Sequence, residues 1–445
     1  MTVARSLEGA RPGAFLRMAS GQSRGFWSRG DRWVAHAGKV ADIRVEREES
    51  PARRFTRVRD EAARLHAAGD GSHDPRLVGR HRWFGGFAFR DGHRAEGAWH
   101  AFPAALFVLP RLELEGDATG RGKLRARMPL PDGAEPGDVT QAVEATLEEL
   151  TEELSGPVAS SSPTPNPARG VATDRRAWEG AVAKAVTAIA AGRFSKVVLA
   201  RTLDLTTTRA VDVVEVVRNL WIENRDSHVF LFEPEAGKAL LGAAPETIAT
   251  VRSGVFHATA VAGSARRGES EEDRARLAHA LMESRKDREE QRIVVEDMVE
   301  RLRPLAEQIQ VQEEPHVLTL AGIQHLETEI RARPGRGSHV LDLVAALHPT
   351  PAVCGVDRDA ALAFIRDEEP FERGWYAGPV GWFDPEGNGV FAPALRNAVN
   401  EGLTWRLFAG AGIVAGSVPA AEWEETAIKF EAVVAAVKAS GAILE

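Results

Sequence analysis

Cysteine is almost absent: Cys354 is the single one in 445 residues. An internal disulfide framework is therefore excluded, and a reducing compartment is expected. An excess of positive charge is also lacking. Lysine and arginine number 56 against 64 aspartates and glutamates, for a formal net charge of −8. That balance argues against nucleic-acid binding, which needs a net basic face, and the basic run Arg24 to Arg32 reads as a solvated loop. No stretch has the uninterrupted apolar length of a membrane span. The N-terminal "MTVARSLEGARPGAFLRMASG" lacks the apolar core of a signal peptide. These absences leave a cytoplasmic protein without nucleic-acid or membrane partners as the expectation.

What is present is an ordinary globular composition, 44% apolar and 27% charged. The length suits two or three average domains, or one large one. The clearest break is "SGPVASSSPTPNPARG", residues 155 to 170, whose Ser, Pro and Gly content predicts an exposed loop or linker. Before it, "RWFGGFAF" (82 to 89) and "AALFVLPRLELE" (104 to 115) read as strands, and 139 to 154 as an amphipathic helix. After it, helices are expected near 174 to 191, 211 to 223, 338 to 346 and 357 to 366, with one long helix from about 271 to 303. Strands are expected at 195 to 205, through "HVFLFEP", "KALLGAA" and "GVFHATAVAG", and near 316 to 332, 376 to 383, 388 to 397 and 403 to 409. No repeat of fixed period occurs. Runs of strands without regular βαβ alternation imply an α+β fold with mostly antiparallel sheets and helices outside them.

Two helices carry an oddity. In "GSVPAAEWEETAIKFEA" (416 to 432), Ser417 reads as the N-cap and Pro419 as a first-turn residue. At about 100° per residue, Trp423, Thr426, Phe430, Val433 and Val437 make an apolar face, and Glu424, Glu431 and Lys438 a wet one. Glu422, Glu425 and Lys429 fall on a third stripe that turns inward. In "ESRKDREEQRIVVEDMVERL" (283 to 302), Asp287 projects from the buried face and Glu290 sits at its edge. Each helix thus holds a carboxylate pair at i and i+3, on one side. Buried carboxylates are costly unless paired or bound to a cation. Facing each other, these acids would make an oxygen-only site for Mg²⁺, Mn²⁺ or Ca²⁺; ion pairs to Lys or Arg would satisfy them equally well.

Other chemistry-bearing residues lie on strands and loops. Lys196 heads the apolar strand "SKVVLAR", where burial can fit a lysine to act as a base. Glu246 follows Pro245 between two apolar strands, where a carboxyl can stay protonated and act as an acid. Arg396, in "FAPALRNAV", is placed to clamp a carboxylate, and Tyr376, the only tyrosine, could donate to the same anion. "AVAGSARRG" and "RLFAGAGIVAG" permit close backbone approach by a ligand. His325 and His348 read as structural. Together these residues imply proton transfers on a small polycarboxylate.

The ordered set "FSKVVLAR", "GAAPET", "AVAGSARRG", "KDREEQRIVVEDM", "QHLETEI", "HPTPAVCG", "EPFERGWYAGPVGW", "RLFAGAGIVAGS" and "EWEETAIK" resembles the chorismate-utilising enzymes, and the isochorismate synthases among them. The likeness is dense over 174 to 435, and "WFGGFAF" extends it thinly toward the N-terminus. It implies one large α/β domain over 1 to 445: two antiparallel sheets packed together with helices around them, 1 to 154 as an N-terminal sheet portion, 155 to 170 as a surface loop, and 171 to 440 as the chorismate-binding region. By that resemblance Lys196 is the general base for water attack at C2 of chorismate, and Glu246 the general acid for the departing C4 hydroxyl. Glu290 and Glu425 are Mg²⁺ ligands, with Asp287 and Glu422 direct or through water. Arg396, Tyr376 and Lys429 grip the enolpyruvyl carboxylate, and Gly263, Ser264 and Gly410 offer further contacts. Ala262 stands where one aminodeoxychorismate synthase type has a nucleophilic lysine, so C2 is left to water. The expected protein is an Mg²⁺-dependent, monomeric isochorismate synthase without an obligatory glutamine amidotransferase. The alternatives are a salicylate synthase, which also eliminates pyruvate, an ammonia-using synthase subunit, and a non-catalytic chorismate or metal sensor. Menaquinone and siderophore synthesis both stay open as the product's destination.

Overall fold

The computed structural model describes residues 2–48, 50, 52–69, 81–129, 135–155, 165–320, 322–335 and 337–444. Two sheets, of thirteen and ten strands, carry the chain. Every described strand pair is antiparallel except one, in which Ala442–Leu444 lies parallel to Asn166–Ala172. Apolar side chains of both sheets meet face to face, Trp27, Phe230, Leu240 and Phe408 from the larger and Phe84, Val380 and Val390 from the smaller. Face-to-face packing of this kind needs both inner faces apolar. Helices Pro12–Met18, Val213–Glu223 and Pro419–Ala439 cover the outer face of the larger sheet. Helices Arg53–Gly69, Arg285–Leu302 and Val340–Leu347 cover that of the smaller one.

The two ends of the chain are woven into the same sheets. Strand Arg24–Arg29 pairs with His228–Glu235, and Trp83–Phe87 pairs with Pro379–Phe383. The N-terminal third therefore completes both sheets, and the molecule is one domain, as the resemblance implied. Residues 156–164 of the expected loop lie outside the described residues. Its last part is not loop: Asn166–Ala172 is a strand paired with Lys196–Thr207. The run Arg24 to Arg32 is likewise no solvated loop. It is most of a hairpin whose Arg24, buried, donates to Glu233 Oε2 at 2.5 Å.

Local chemistry also cuts elements that the apolar pattern ran together. The helix expected over 271 to 303 is two, Glu271–Glu283 and Arg285–Leu302. Ser284 between them is extended and accepts from Asp287 N at 3.3 Å, so its side chain satisfies an N–H that a continuous helix would have used. Val294, Met298 and Leu302 then face the smaller sheet fully buried, each contributing about 1.5–3 kcal/mol. Ser417 does not cap the last helix. Val418 takes the N-cap position and Pro419 opens the helix, while Ser417 Oγ accepts from Val414 N at 3.2 Å. Strand 388 to 397 is also two, Gly389–Pro393 in the smaller sheet and Asn397–Glu401 in the larger.

Candidate active site

Two places where the chain crosses from one sheet to the other build one wall. Pro245 and Glu246 lie between strand Lys238–Ala244 of the larger sheet and Ala249–Arg252 of the smaller. Arg396 lies in the return crossing, at a φ of +45°. A left-handed backbone is costly for arginine, of order 1–3 kcal/mol. A cavity opens between these crossings, lined also by Val198, Ala262, Gly263, Ser264, Glu290, His325, Tyr376, Gly410, Gly412, Glu425 and Lys429.

Glu246 is 2% exposed, and its Oε1 has no hydrogen-bond partner. Burial pushes its carboxyl up to about 8 against the pull of Lys196, with Glu327 adding to the rise, so it is protonated at neutral pH. Lys196, 1% exposed, donates to Glu290 Oε1 at 2.9 Å. Burial alone would raise Glu290; Lys196, and beyond it Lys286 and Lys429, reverse that and hold it below the usual carboxylate range. Lys196 therefore stands behind Glu290 and is absent from the cavity lining.

A bulge forms the floor. The pairing of Val255–Arg266 with Ile323–Pro334 slips between Ala262 and Ser264, with Gly263 at a φ of +68°. A Cβ on Gly263 would sit 2.9 Å from Asp287 Cβ, so glycine lets the acid-bearing helix Arg285–Leu302 approach. His325 faces the bulge. Its Nδ1 is 3.1 Å from the Gly263 carbonyl and 3.0 Å from Ser264 Oγ, and its Nε2 accepts from Arg396 Nη2 at 2.9 Å. Burial, then Arg396 and Lys429, keep the imidazole well below its ordinary pKa and neutral. It donates from Nδ1 and accepts at Nε2. Through Nε2 the histidine holds Arg396 in place. Burial lowers Arg396 to about 10, still charged at neutral pH, and among the described residues no carboxylate pairs with it.

The third wall is strand Thr404–Ile413 with helix Pro419–Ala439. Tyr376 stacks on Phe408 at 5.0 Å between centroids, and burial raises its phenol. Its hydroxyl would lie 2.8 Å from a Cβ on Gly410. Lys429 Nζ donates to the Gly410 carbonyl at 2.9 Å and to Glu425 Oε1 at 2.7 Å. Glu422, 2% exposed, accepts from Lys286 Nζ at 2.9 Å. Burial, then Glu425, raise its carboxyl, opposed by Lys286 and the Ser417 hydroxyl. Asp287 accepts from the Ser284 hydroxyl, and burial raises it too.

The structure thus gathers Glu246, Gly263, Ser264, Glu290, Tyr376, Arg396, Gly410, Glu425 and Lys429 around one cavity. Lys196, Asp287 and Glu422 sit behind that lining. As placed, no group of three or more His, Cys, Asp or Glu side chains among the described residues is drawn together enough to hold a metal ion. The donor chemistry nevertheless fits one. Four carboxyls come from two helices, three of them are held by lysines, and Glu422 and Asp287 are raised by burial. Such an oxygen-only set suits a hard divalent cation.

The sequence reading flagged the stretch that holds Gly412 only for ligand approach, and it missed Lys286. A Cβ on Gly412 would lie 2.3 Å from Glu290 Oε1 and 3.0 Å from Lys196 Cε. The alternation of glycines at 410, 412 and 416 was the available signal. Lys286 was hidden because a helix-terminal lysine ordinarily reaches water.

Comparison places this architecture in a known class. The profile of the chorismate binding enzyme family matches residues 1–438, and the chain belongs to that family. It is 38% identical over 400 residues to the salicylate biosynthesis isochorismate synthase of Pseudomonas aeruginosa, covering 88% of this chain and 81% of the relative. To isochorismate synthase MenF of Bacillus subtilis it is 34% identical over 354 residues, covering 80% and 74%. Among solved structures it is similar to MenF, the menaquinone-specific isochorismate synthase of Escherichia coli, with a TM-score of 0.79, 25% identity, and 99% and 95% of the two chains covered.

Proposed function

We propose that this chain is an isochorismate synthase, an isomerase that converts chorismate to isochorismate in the cavity between the two sheet crossings. The observation that carries this reading is a carboxyl held neutral, Glu246, on one side of a cavity whose other side is anchored by Lys196 and Glu290. A protonated acid and a lysine on separate elements suit a reaction that takes a proton from an oxygen adding at one carbon and gives one to an oxygen leaving another. The relatives' names agree with it.

We assign Lys196, whose Nζ is paired with Glu290 behind the cavity lining, as the base that takes the proton of the water adding at C2, a role it fills when neutral and released from that pair. The ring double bonds shift, the C4–O bond breaks, and Glu246 gives its proton to the departing hydroxyl, which leaves as water. Atoms balance: one water enters and one leaves. Ala262 offers no amine at the bulge, so no side chain competes with water for C2. Arg396, held by His325, binds the enolpyruvyl carboxylate together with Lys429 and the Tyr376 hydroxyl. Mg²⁺ is the cation we assign to Glu290 and Glu425, with Glu422 and Asp287 behind them; when bound, its charge would anchor the ring carboxylate.

The test is the product profile of purified protein with chorismate and Mg²⁺, separated by chromatography with mass detection. An EDTA-sensitive isomer of unchanged mass without pyruvate is expected. Salicylate with stoichiometric pyruvate, or turnover only with added ammonium, would overturn the assignment in favour of the other branches.

A further inference from the structure

Lys286 is the one ammonium at the site that the proposed reaction does not use. It sits in the first turn of helix Arg285–Leu302, directly before Asp287. Its side chain is 37% exposed, yet Nζ reaches Glu422 Oε1 at 2.9 Å on a carboxylate only 2% exposed. Burial would lower Lys286, but Glu422, then Glu290 and Glu425, more than reverse that and raise it. The ammonium therefore stands among carboxylates from both acid-bearing helices.

Three lysines hold three of the four acids, one each, and they are not equivalent. Lys196 is enclosed, at 1% side-chain exposure, and rooted in a strand. Lys429 is tied to a second partner, the Gly410 carbonyl, at 2.9 Å. Lys286 enters from the rim on a flexible stem. Of the three it loses least on leaving, because its charge can return to water without crossing the core. Bare, buried carboxylates are costly. A divalent cation brings more charge and takes several oxygens at once, but it must first displace whatever already neutralises them.

We propose that Lys286 is a displaceable counter-cation: it neutralises Glu422, swings to solvent when a divalent cation takes the acids, and so weakens and makes reversible the binding of that cation. This inference rests on the metal assignment made under Proposed function. The lysine keeps the acid pairs from repelling each other while they are not shared by a metal, at the expense of affinity.

The test is calorimetric titration of MgCl₂ into the full chain at pH 8 without substrate, for wild type, K286M, K286Q and K286R, with circular dichroism to check folding. Removing the competing charge in K286M and K286Q is expected to tighten Mg²⁺ binding roughly tenfold, the order of one charge-assisted hydrogen bond. Without Mg²⁺ both variants should melt below wild type, and Mg²⁺ should raise their melting temperature by more than it raises that of wild type. K286R, which keeps the charge, should lie nearer wild type. Equal or weaker Mg²⁺ binding by the folded neutral variants overturns the counter-cation role, while binding by wild type leaves the metal assignment standing. Absence of Mg²⁺ binding in wild type overturns the metal assignment and the role of Lys286 with it.

Discussion

Lys196 Nζ lies 2.9 Å from Glu290 Oε1, and both side chains are buried. A strand of the larger sheet and a helix on the outer face of the smaller one are thereby joined through a single ion pair. Removing one partner leaves the other charge without its hydrogen-bonded counter-ion. Lys196→Met is expected to cost about 3–5 kcal/mol and to reduce kcat/KM by at least about 100-fold. Adding Glu290→Gln should recover much of the stability and none of the turnover. Chemical denaturation of the two single variants and the double variant measures this coupling. Simple additivity of the two costs would refute it.

Glu246 titrates at about 8 because burial disfavours its charge. A general acid works while protonated, so kcat/KM should fall as pH rises through that value. Linkage has the same sign. The folded state holds a proton that the unfolded state has lost above its ordinary carboxylate pKa, so this group's contribution to stability falls progressively as pH rises from that pKa to about 8 and stays lost above it. Glu246→Gln should abolish turnover and also flatten the fall in melting temperature over this range. Identical pH dependence of stability in the two proteins would show that Glu246 ionises normally.

Arg396 is a buried cation with His325 Nε2 at 2.9 Å and no paired carboxylate among the described residues. Burying such a charge lowers stability, and a substrate anion offsets that cost. Arg396→Met is therefore expected to melt at or above the wild-type temperature while KM rises at least about tenfold, the range of a lost charge-assisted contact. Steady-state kinetics beside a thermal melt separate the two effects. A destabilised variant with unchanged KM would assign the arginine to the fold instead.

A methyl group at position 412 would meet Glu290 Oε1 at 2.3 Å. Gly412→Ala should keep the fold, because neighbouring pairs of the same two strands run uninterrupted from Val197 to Thr206. It should displace Glu290 from Lys196 and cut turnover at least about 100-fold. At Gly254, where the structure leaves open space for a Cβ, the left-handed φ makes alanine a test of strain alone, and there activity should hold while stability falls.

The sequence by itself determined the helices that carry the acids, the apolar strands, and the types of group the site would use. Those follow from periodicity and local chemistry: Glu422, Glu425 and Lys429 share a stripe because 3.6 residues make a turn, whatever surrounds the helix. The ordered motifs carry the resemblance to the family in the sequence alone. Only the tertiary structure decided how the groups pair. That Lys196 holds Glu290, that Lys286 crosses to Glu422, and that His325 orients Arg396 are contacts between residues far apart in the chain. No local rule fixes which lysine meets which acid. Breaks in elements were hidden for a related reason. Ser284 ends one helix and starts the next through a side-chain cap, and Arg396 leaves a strand by adopting a left-handed backbone that only the sheet crossing requires. Periodicity reads the face an element buries, and what that face is buried against is settled by the packing of the two sheets.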